Sequence, residues 1–464
     1  MAYVLGRYRF RGRKLVRALL VVPFVLPTVV VSAAMLSVFD RFGVEDRLRH
    51  TLWAVLLAHV FFNFAIVART LGSYWSHLGR AQEEASRMLG AGALRTFFSI
   101  TLPRLTPALL GVASVVYLFC FTSFGVILIL GGPRRATLDT EIWRYAIGRL
   151  EFSTAAALVV LQLLAVIAIV ALNSWLRRVL PEQLRTDTTR TPESSRQRWA
   201  VRGSLLWAVV LLGLPLMVLV ERSFSAGGGG YSLASYRALG SSGGTGRLLF
   251  VKPVEALFNS LAFAGVATGI AVIVGVAVAL VVAYSRGAVA GAIDTVMLLP
   301  LGTSAVAVGL GLLLALDSPP LDIRDSPWVI PVAHALVGVP FVLRGVAPVL
   351  AAIPKQVRDS ARLLGASQFR LWRGIDIPLA KKSILSAAGF AFAVSLGEFG
   401  ASEFLVRPER PTVPVVIFQL LSRPGDLAYG QALALSVILM AVITAVVLAM
   451  EYLMEANPST AFDL

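Results

Sequence analysis

The stretch Glu84-Ala85-Ser86, three residues, Gly90, nine residues, Ile100-Thr101-Leu102-Pro103 recurs 275 positions later. The second copy reads Asp359-Ser360-Ala361, three residues, Gly365, nine residues, Ile375-Asp376-Ile377-Pro378. Both fit the pattern E-A-A-x3-G-x9-I-x-L-P, and each stands just before a long apolar segment. Residues 76–89 and 354–364 carry apolar side chains at helical spacing with charges elsewhere, which predicts short amphipathic helices. Gly90 and Gly365 fall where such helices end, because glycine accepts the positive φ of a C-terminal cap at little cost. A second helical stretch then leads to Pro103 or Pro378, where proline, lacking an N–H, marks the start of the next span.

Outside the motif the chain is far more apolar than a soluble protein of 464 residues, with 57% hydrophobic residues, 15% charged residues and a mean hydropathy of +0.78. Spans need about 20 mostly apolar residues. Ten candidates lie near 15–38, 52–69, 106–130, 155–175, 204–221, 257–283, 292–315, 327–349, 383–405 and 429–450. The fold class is therefore all-α and polytopic. The net charge of +16 sits in short segments between spans, not on a soluble domain, which argues against nucleic acid as a partner. Arg7, Arg9, Arg11, Arg13, Lys14 and Arg17 lead into the first span, and Arg177, Arg178, Arg185, Arg190, Arg196, Arg198 and Arg202 fill the stretch between the fourth and fifth. The positive-inside rule places both in the cytoplasm. Segment 40–50 and the acids Asp317, Asp322 and Asp325 lie on the other side, while the acidic C-terminal tail dissents weakly. The basic, then apolar, N-terminus shows no convincing cleavage site and reads as a retained span.

The 275-residue offset extends beyond the motif, matching His59 to His334, Arg69 to Arg344, Phe124-Gly125 to Phe399-Gly400, Pro133 to Pro408 and Thr137 to Thr412. Six candidate spans separate the two motif loops, so both loops face the cytoplasm and the halves are parallel repeats. The division expected is 1–176 for the first repeat, 177–203 for a mobile cytoplasmic linker and 204–464 for the second. The second repeat has two spans, 204–221 and 257–283, with no counterparts in the first, and Met1-Ala2-Tyr3-Val4-Leu5 reads like the tail of a span matching Leu280 to Tyr284. A twelve-span protein with a shortened N-terminus is the expectation. The glycines Gly227 to Gly230 and the run Ser241-Ser242-Gly243-Gly244 lack phosphate-loop spacing and read as a flexible outer loop.

The paired motif resembles the cytoplasmic signature of permease subunits in bacterial ABC importers. The resemblance implies that Glu84, Ala85, Ser86, Gly90, Ile100, Leu102 and Pro103, with Asp359, Ser360, Ala361, Gly365, Ile375, Ile377 and Pro378, form coupling loops that dock on two separate ATPase subunits. ATP then binds to the partner, and this chain has no catalytic residues, cofactor or metal site of its own. An extracytoplasmic substrate-binding protein and the lipid of the bacterial cytoplasmic membrane complete the implied partners. Asp359, Ser86 and Ser360 depart from the usual Glu and Ala but keep an acid and small residues. Glu84 and Asp359 are candidates for pairing with basic residues of the ATPase, against a plainer role at a helix N-terminus.

Ser395-Leu396-Gly397-Glu398-Phe399-Gly400-Ala401-Ser402-Glu403 places carboxylates in an apolar span, and charge near mid-membrane costs about 2.5–3.5 kcal/mol on insertion scales. Glu398 and its counterpart Ser123 are candidate pathway residues, against a structural pair or a position at the membrane edge. Repeated His59 and His334 favour packing or hydrogen bonding over metal ligation, His50 and His77 fall in loops, and the single Cys120 reads as a packing residue. The segments Leu56 to Asn63 with Ala68-Arg69, and Cys120 to Gly125 with Leu128 to Gly132, resemble fused two-half permeases of thiamine importers. Ferric-iron permeases share that layout, so thiamine, ferric iron and other small solutes stay open as cargo. An ion-coupled secondary transporter would also give parallel halves but would not require paired docking motifs. No phosphate loop, H-E-x-x-H or nucleophile elbow supports a membrane enzyme.

Overall fold

A computed structural model describes residues 1–179, 189–225, 230–240, 251–284, 293, 296, 297, 303–317 and 323–455. Among these residues the regular structure is helical, with two isolated β-bridges. The first half comprises α1 (Ala2–Arg7), α2 (Arg13–Val25), α3 (Thr28–Arg41), α4 (Glu45–Leu48), α5 (Leu52–His77), α6 (Ala81–Met88), α7 (Ala93–Phe121), α8 (Leu138–Trp143) and α9 (Phe152–Val179). After it come α10 (Ser195–Ser223), α11 (Ala234–Ala238), α12 (Pro253–Tyr284), α13 (Ala305–Ala315), α14 (Val329–Ala352), α15 (Lys355–Leu363), α16 (Gln368–Gly397), α17 (Gly400–Leu405), α18 (Val413–Leu421) and α19 (Asp426–Glu455). With the 275-residue offset, α3, α5, α6, α7, α8 and α9 fall on α13, α14, α15, α16, α18 and α19. The first turns of the chain follow suit, since α1 packs along α5 as α12 packs along α14.

Eight of these helices, α5, α7, α9, α10, α12, α14, α16 and α19, are long and apolar enough to cross a membrane. The expected span at 15–38 is instead two helices, because Pro27 holds Leu26 extended at ψ 140° and lacks the N–H that would continue the ladder. Of the expected span at 292–315, the helix Ala305–Ala315 is described, and most of 291–302 lies outside the described residues. The span expected at 106–130 starts earlier, at Ala93, and stops at Phe121. The one expected at 383–405 likewise starts earlier and breaks at Glu398-Phe399 before α17. Both breaks lead into a glycine where another helix begins. A Cβ on Gly125 would stand 2.3 Å from Thr28 Oγ1 at the start of α3, and one on Gly400 would stand 3.2 Å from Ala305 and Val306 at the start of α13. These short helices then cross to the opposite half, α3 onto α18 and α13 onto α8, and one large apolar cluster draws on both halves.

Large apolar side chains on the outer faces, among them Tyr117, Leu164, Leu206, Val209 and Ile273, stay exposed, a surface suited to hydrocarbon. Both ends of the expected linker are helical, and its residues 180–188 lie outside the described residues. Helix α9 runs to Val179, Arg190 exchanges two backbone hydrogen bonds with Arg7 and Arg9, and Ser194 with Gln197 forms a capping box that starts α10. Asp322, Arg185, Gly227 to Gly229, the run 241–244 and the tail beyond Glu455 lie outside the described residues.

Candidate functional site

Each motif folds into a loop of the same design. The span α5 runs through His77, so the amphipathic helix starts at Ala81, later than the expected Ser76, while α15 begins at Lys355 behind Pro354. Both helices end in a Schellman turn. The N–H groups of Gly90 and Ala91 donate to the carbonyls of Arg87 and Ser86, those of Gly365 and Ala366 to Arg362 and Ala361, and the glycines adopt φ of +85° and +80°. The chain then turns into one continuous helix that passes through a π turn, Phe97–Thr101 in α7 and Trp372–Asp376 in α16. Pro103 and Pro378 follow within the first residues after that turn, so proline sits inside a continuous helix instead of marking its start.

The loop tips are apolar and exposed. Met88, Leu89, Leu363 and Leu364 are each 89% exposed, and Leu94 and Phe369 extend the same two patches. All three positions are 275-residue counterparts. Among the expected coupling residues, Glu84, Ala85, Gly90, Pro103, Ser360, Gly365, Ile377 and Pro378 are exposed, while Ser86, Ile100, Leu102, Asp359, Ala361 and Ile375 are half-buried. Ser86 shares a hydrogen bond with Thr96 across the turn at 3.2 Å. Asp359 lies 3.8 Å from Arg362, whereas Glu84 has no partner among the described residues. The exposed apolar tips went unnoticed in the sequence, although two apolar residues immediately before each glycine were a readable signal.

Beneath each tip a buried arginine ties the motif helix to the spans. In the first half Arg7 on α1 pairs with Glu83 on α6 at 2.6 Å and donates to the Leu78 carbonyl at the end of α5, while Thr101 donates to the same Glu83 oxygen at 3.0 Å. In the second half Arg358 on α15 pairs with Asp376 on α16 at 2.9 Å and donates to the Leu350 carbonyl in the last turn of α14. Tyr284 at the end of α12 donates to the other Asp376 oxygen, and the guanidinium lies 4.6 Å from the centre of its ring. Glu83 is the counterpart of Arg358 and Thr101 of Asp376, so the polarity of the tie is reversed between halves.

The breaks after α7 and α16 meet at the centre. Phe124 stacks on its own counterpart Phe399 with ring centres 5.2 Å apart, and Trp143 meets its counterpart Phe418 edge-on at 6.3 Å. Phe399 also packs on Phe418 at 5.4 Å, and Phe124 on Trp143 at 6.5 Å. Two residues related by a twofold can touch each other only at the axis, so these four rings lie on the pseudo-twofold between the repeats. Leu102–Phe121 spans 20 residues, about 30 Å of helix, which sets the rings about the thickness of a hydrocarbon core from the motif loops. The expected pathway residues flank them. Ser123 is buried, and Glu398 is largely buried and accepts from the Ala401 N–H at 3.0 Å, capping α17. His334 is fully enclosed, hydrogen-bonded through one ring nitrogen to Ser395 and through the other to Ser402, each at 2.9 Å, and so staples α16 to α17 across the break. His77 is the last residue of α5, not a loop residue. Cys120 is half-buried and accepts a weak hydrogen bond from Asn63 at 3.7 Å.

Two exposed loops of one design, one beside each of two apolar repeats that meet on an axis, fit a transmembrane permease subunit. Residues 1–185 and 271–456 match the family described as the binding-protein-dependent transport system inner membrane component, and the chain belongs to that family. It is an inner-membrane permease component, and such a component is not itself an enzyme. Among similar proteins, the thiamine transport system permease protein ThiP of Brucella abortus is 26% identical over 449 residues, covering 93% of this chain and 80% of the relative. The protein of the same name from Escherichia coli K12 is 24% identical over 444 residues, covering 90% and 78%. A putative 2-aminoethylphosphonate transport system permease protein of Salmonella typhimurium is 32% identical over 181 residues, covering 39% of this chain and 68% of the relative.

Proposed function

We propose that this chain forms the translocation pathway of an ATP-driven importer for thiamine, with both halves of the channel in one polypeptide. The observation that carries the cargo is the similarity to thiamine permeases through both repeats, over 93% of the chain. The 2-aminoethylphosphonate relative is similar to only 39% of it. Residues 1–176 and 204–464 act as the two halves, joined by 177–203. Two copies of a separate ATPase subunit bind the ATP and dock on the paired loops, where Met88-Leu89 and Leu363-Leu364 supply apolar anchors and Glu84 and Asp359 supply charge at the rim. An extracytoplasmic binding protein delivers the cargo to the opposite face.

The pathway follows the pseudo-twofold axis and is closed by Phe124, Phe399, Trp143 and Phe418. Docking helices that move with the ATPase rock α7 and α16, separate these rings and open a passage past Ser123 and Glu398. Uptake of labelled thiamine in cells lacking the gene tests the cargo: loss, restored by this chain, is expected. Undiminished thiamine uptake on deletion would overturn it.

A further inference from the structure

Each docking helix is short, eight residues in α6 and nine in α15, and is set off from the preceding span by a break at Leu78–Arg80 or Ile353-Pro354. A lever attached through such a break alone would hinge there and move no span. The buried arginine supplies the missing attachments, because each one joins three elements: a carbonyl at the end of the preceding span, the docking helix, and either the π turn of the following span or the helix beside it. Arg7 is 1% exposed and Arg358 8%, so neither is placed to meet a partner protein or a solute. The two halves do not keep the arginine at one position. It stands on α1 in the first half and on the docking helix in the second, with the acid exchanged accordingly. What the halves share is closure of the tie and not the place of either charge, which is the pattern expected when the tie itself is the working part.

We propose that the Arg7–Glu83 and Arg358–Asp376 pairs are the joints through which movement of a docking helix reaches the spans beside it, with Glu83 and Asp376 as positioning residues of the transport cycle. This rests on the docking of ATPase subunits proposed above. The carboxylates touch no cargo; they make the loop and its flanking spans move as one body. Tyr284 and Thr101 hold the carboxylates in place from a further element each.

The test uses the complex purified with its ATPase and reconstituted in lipid. Asp376→Asn is expected to lower labelled thiamine uptake at least tenfold while ATP hydrolysis stays within twofold of wild type, and Asp376→Glu to keep both within threefold. The charge-exchanged double variant R358D/D376R is expected to regain most of the lost uptake. In a Cys120→Ala background, spin labels at Lys355 on α15 and Leu385 on α16 are expected to hold one narrow distance with and without vanadate trapping, and a broad one in Asp376→Asn. Wild-type uptake in Asp376→Asn, or uptake and hydrolysis lost together with an unchanged label distance, would overturn the proposal. Should Asp376→Asn fail to accumulate, Tyr284→Phe takes its place, with a two- to fivefold loss of uptake expected and an unchanged rate counting against the joint. Absence of any ATPase from the wild-type complex would refute the docking reading instead, and the label distance, read on this chain alone, judges the joint separately.

Discussion

The two repeats build the same break in their central helices and hold it differently. In the second, His334 bridges Ser395 and Ser402 across the break and Glu398 caps the helix that follows. In the first, the matching residues are His59, Cys120, Ile127 and Ser123, and the buried Nε2 of His59 finds no hydrogen-bond partner among the described residues. The ties beneath the motif loops differ in the same manner, with reversed charge on an unchanged frame. Both contrasts teach one lesson. In a chain that carries both halves, each copy of a position is used once, so each half can settle its own chemistry while the backbone path, the glycine turns and the rings on the axis stay paired. The second half is the better stapled of the two, and the first has room to yield.

The largest expected effect concerns what the halves share. Replacing Leu363 and Leu364 together by Asp should weaken assembly with the ATPase at least about a hundredfold, since burying each leucine against the partner contributes about 1.5–3 kcal/mol. Met88 and Leu89 replaced likewise should do the same in a binding titration, and a pronounced inequality would show that one loop dominates. Next, His334→Ala should lower stability by about 2–3 kcal/mol through two lost buried hydrogen bonds and the polar groups left behind, against under about 1 kcal/mol for His59→Ala. Thermal unfolding in detergent reads the difference, and equal losses would erase the contrast between the repeats. On the axis, Phe124→Ala and Phe399→Ala should each loosen the closure by about 0.5–1.5 kcal/mol of ring packing and raise passive solute leak equally in proteoliposomes. The smallest effect is expected at the rim, where exposed ion pairs contribute about 0.2–1 kcal/mol. Glu84→Arg should reduce ATPase co-purification by up to about fivefold, and Asp359→Arg by less, because Arg362 already stands beside Asp359.

How much of this was legible in the sequence depended on whether a feature was local. The Gly90 and Gly365 caps were readable, because a positive φ at the end of an amphipathic helix is a short-range requirement. So was the repeat, since identical spacings need no structure to be seen. The break at Leu26-Pro27 was missed because hydropathy is continuous across it, although the proline itself was the signal. The ties were missed for a different reason. Glu83 and Arg358 occupy matching positions with opposite charge, and Thr101 and Asp376 fall in the motif's free positions, so a search for matching residues passes over them. Arg7 was visible only as one of several basic residues near the N-terminus, and nothing local in the sequence marks it as buried. The four rings on the axis were half visible. Phe124 and Phe399 stood in the repeat, but Trp143 and Phe418 differ in identity, and only the fold brings the pairs face to face.

We propose that both halves of one chain dock an ATPase, and native mass spectrometry of the complex purified in mild detergent decides this. One copy of this chain with two ATPase subunits is the result expected, falling to one subunit when either Met88-Leu89 or Leu363-Leu364 is replaced by Asp. A single ATPase per chain in the wild-type complex, or two copies of this chain around one ATPase pair, would contradict it.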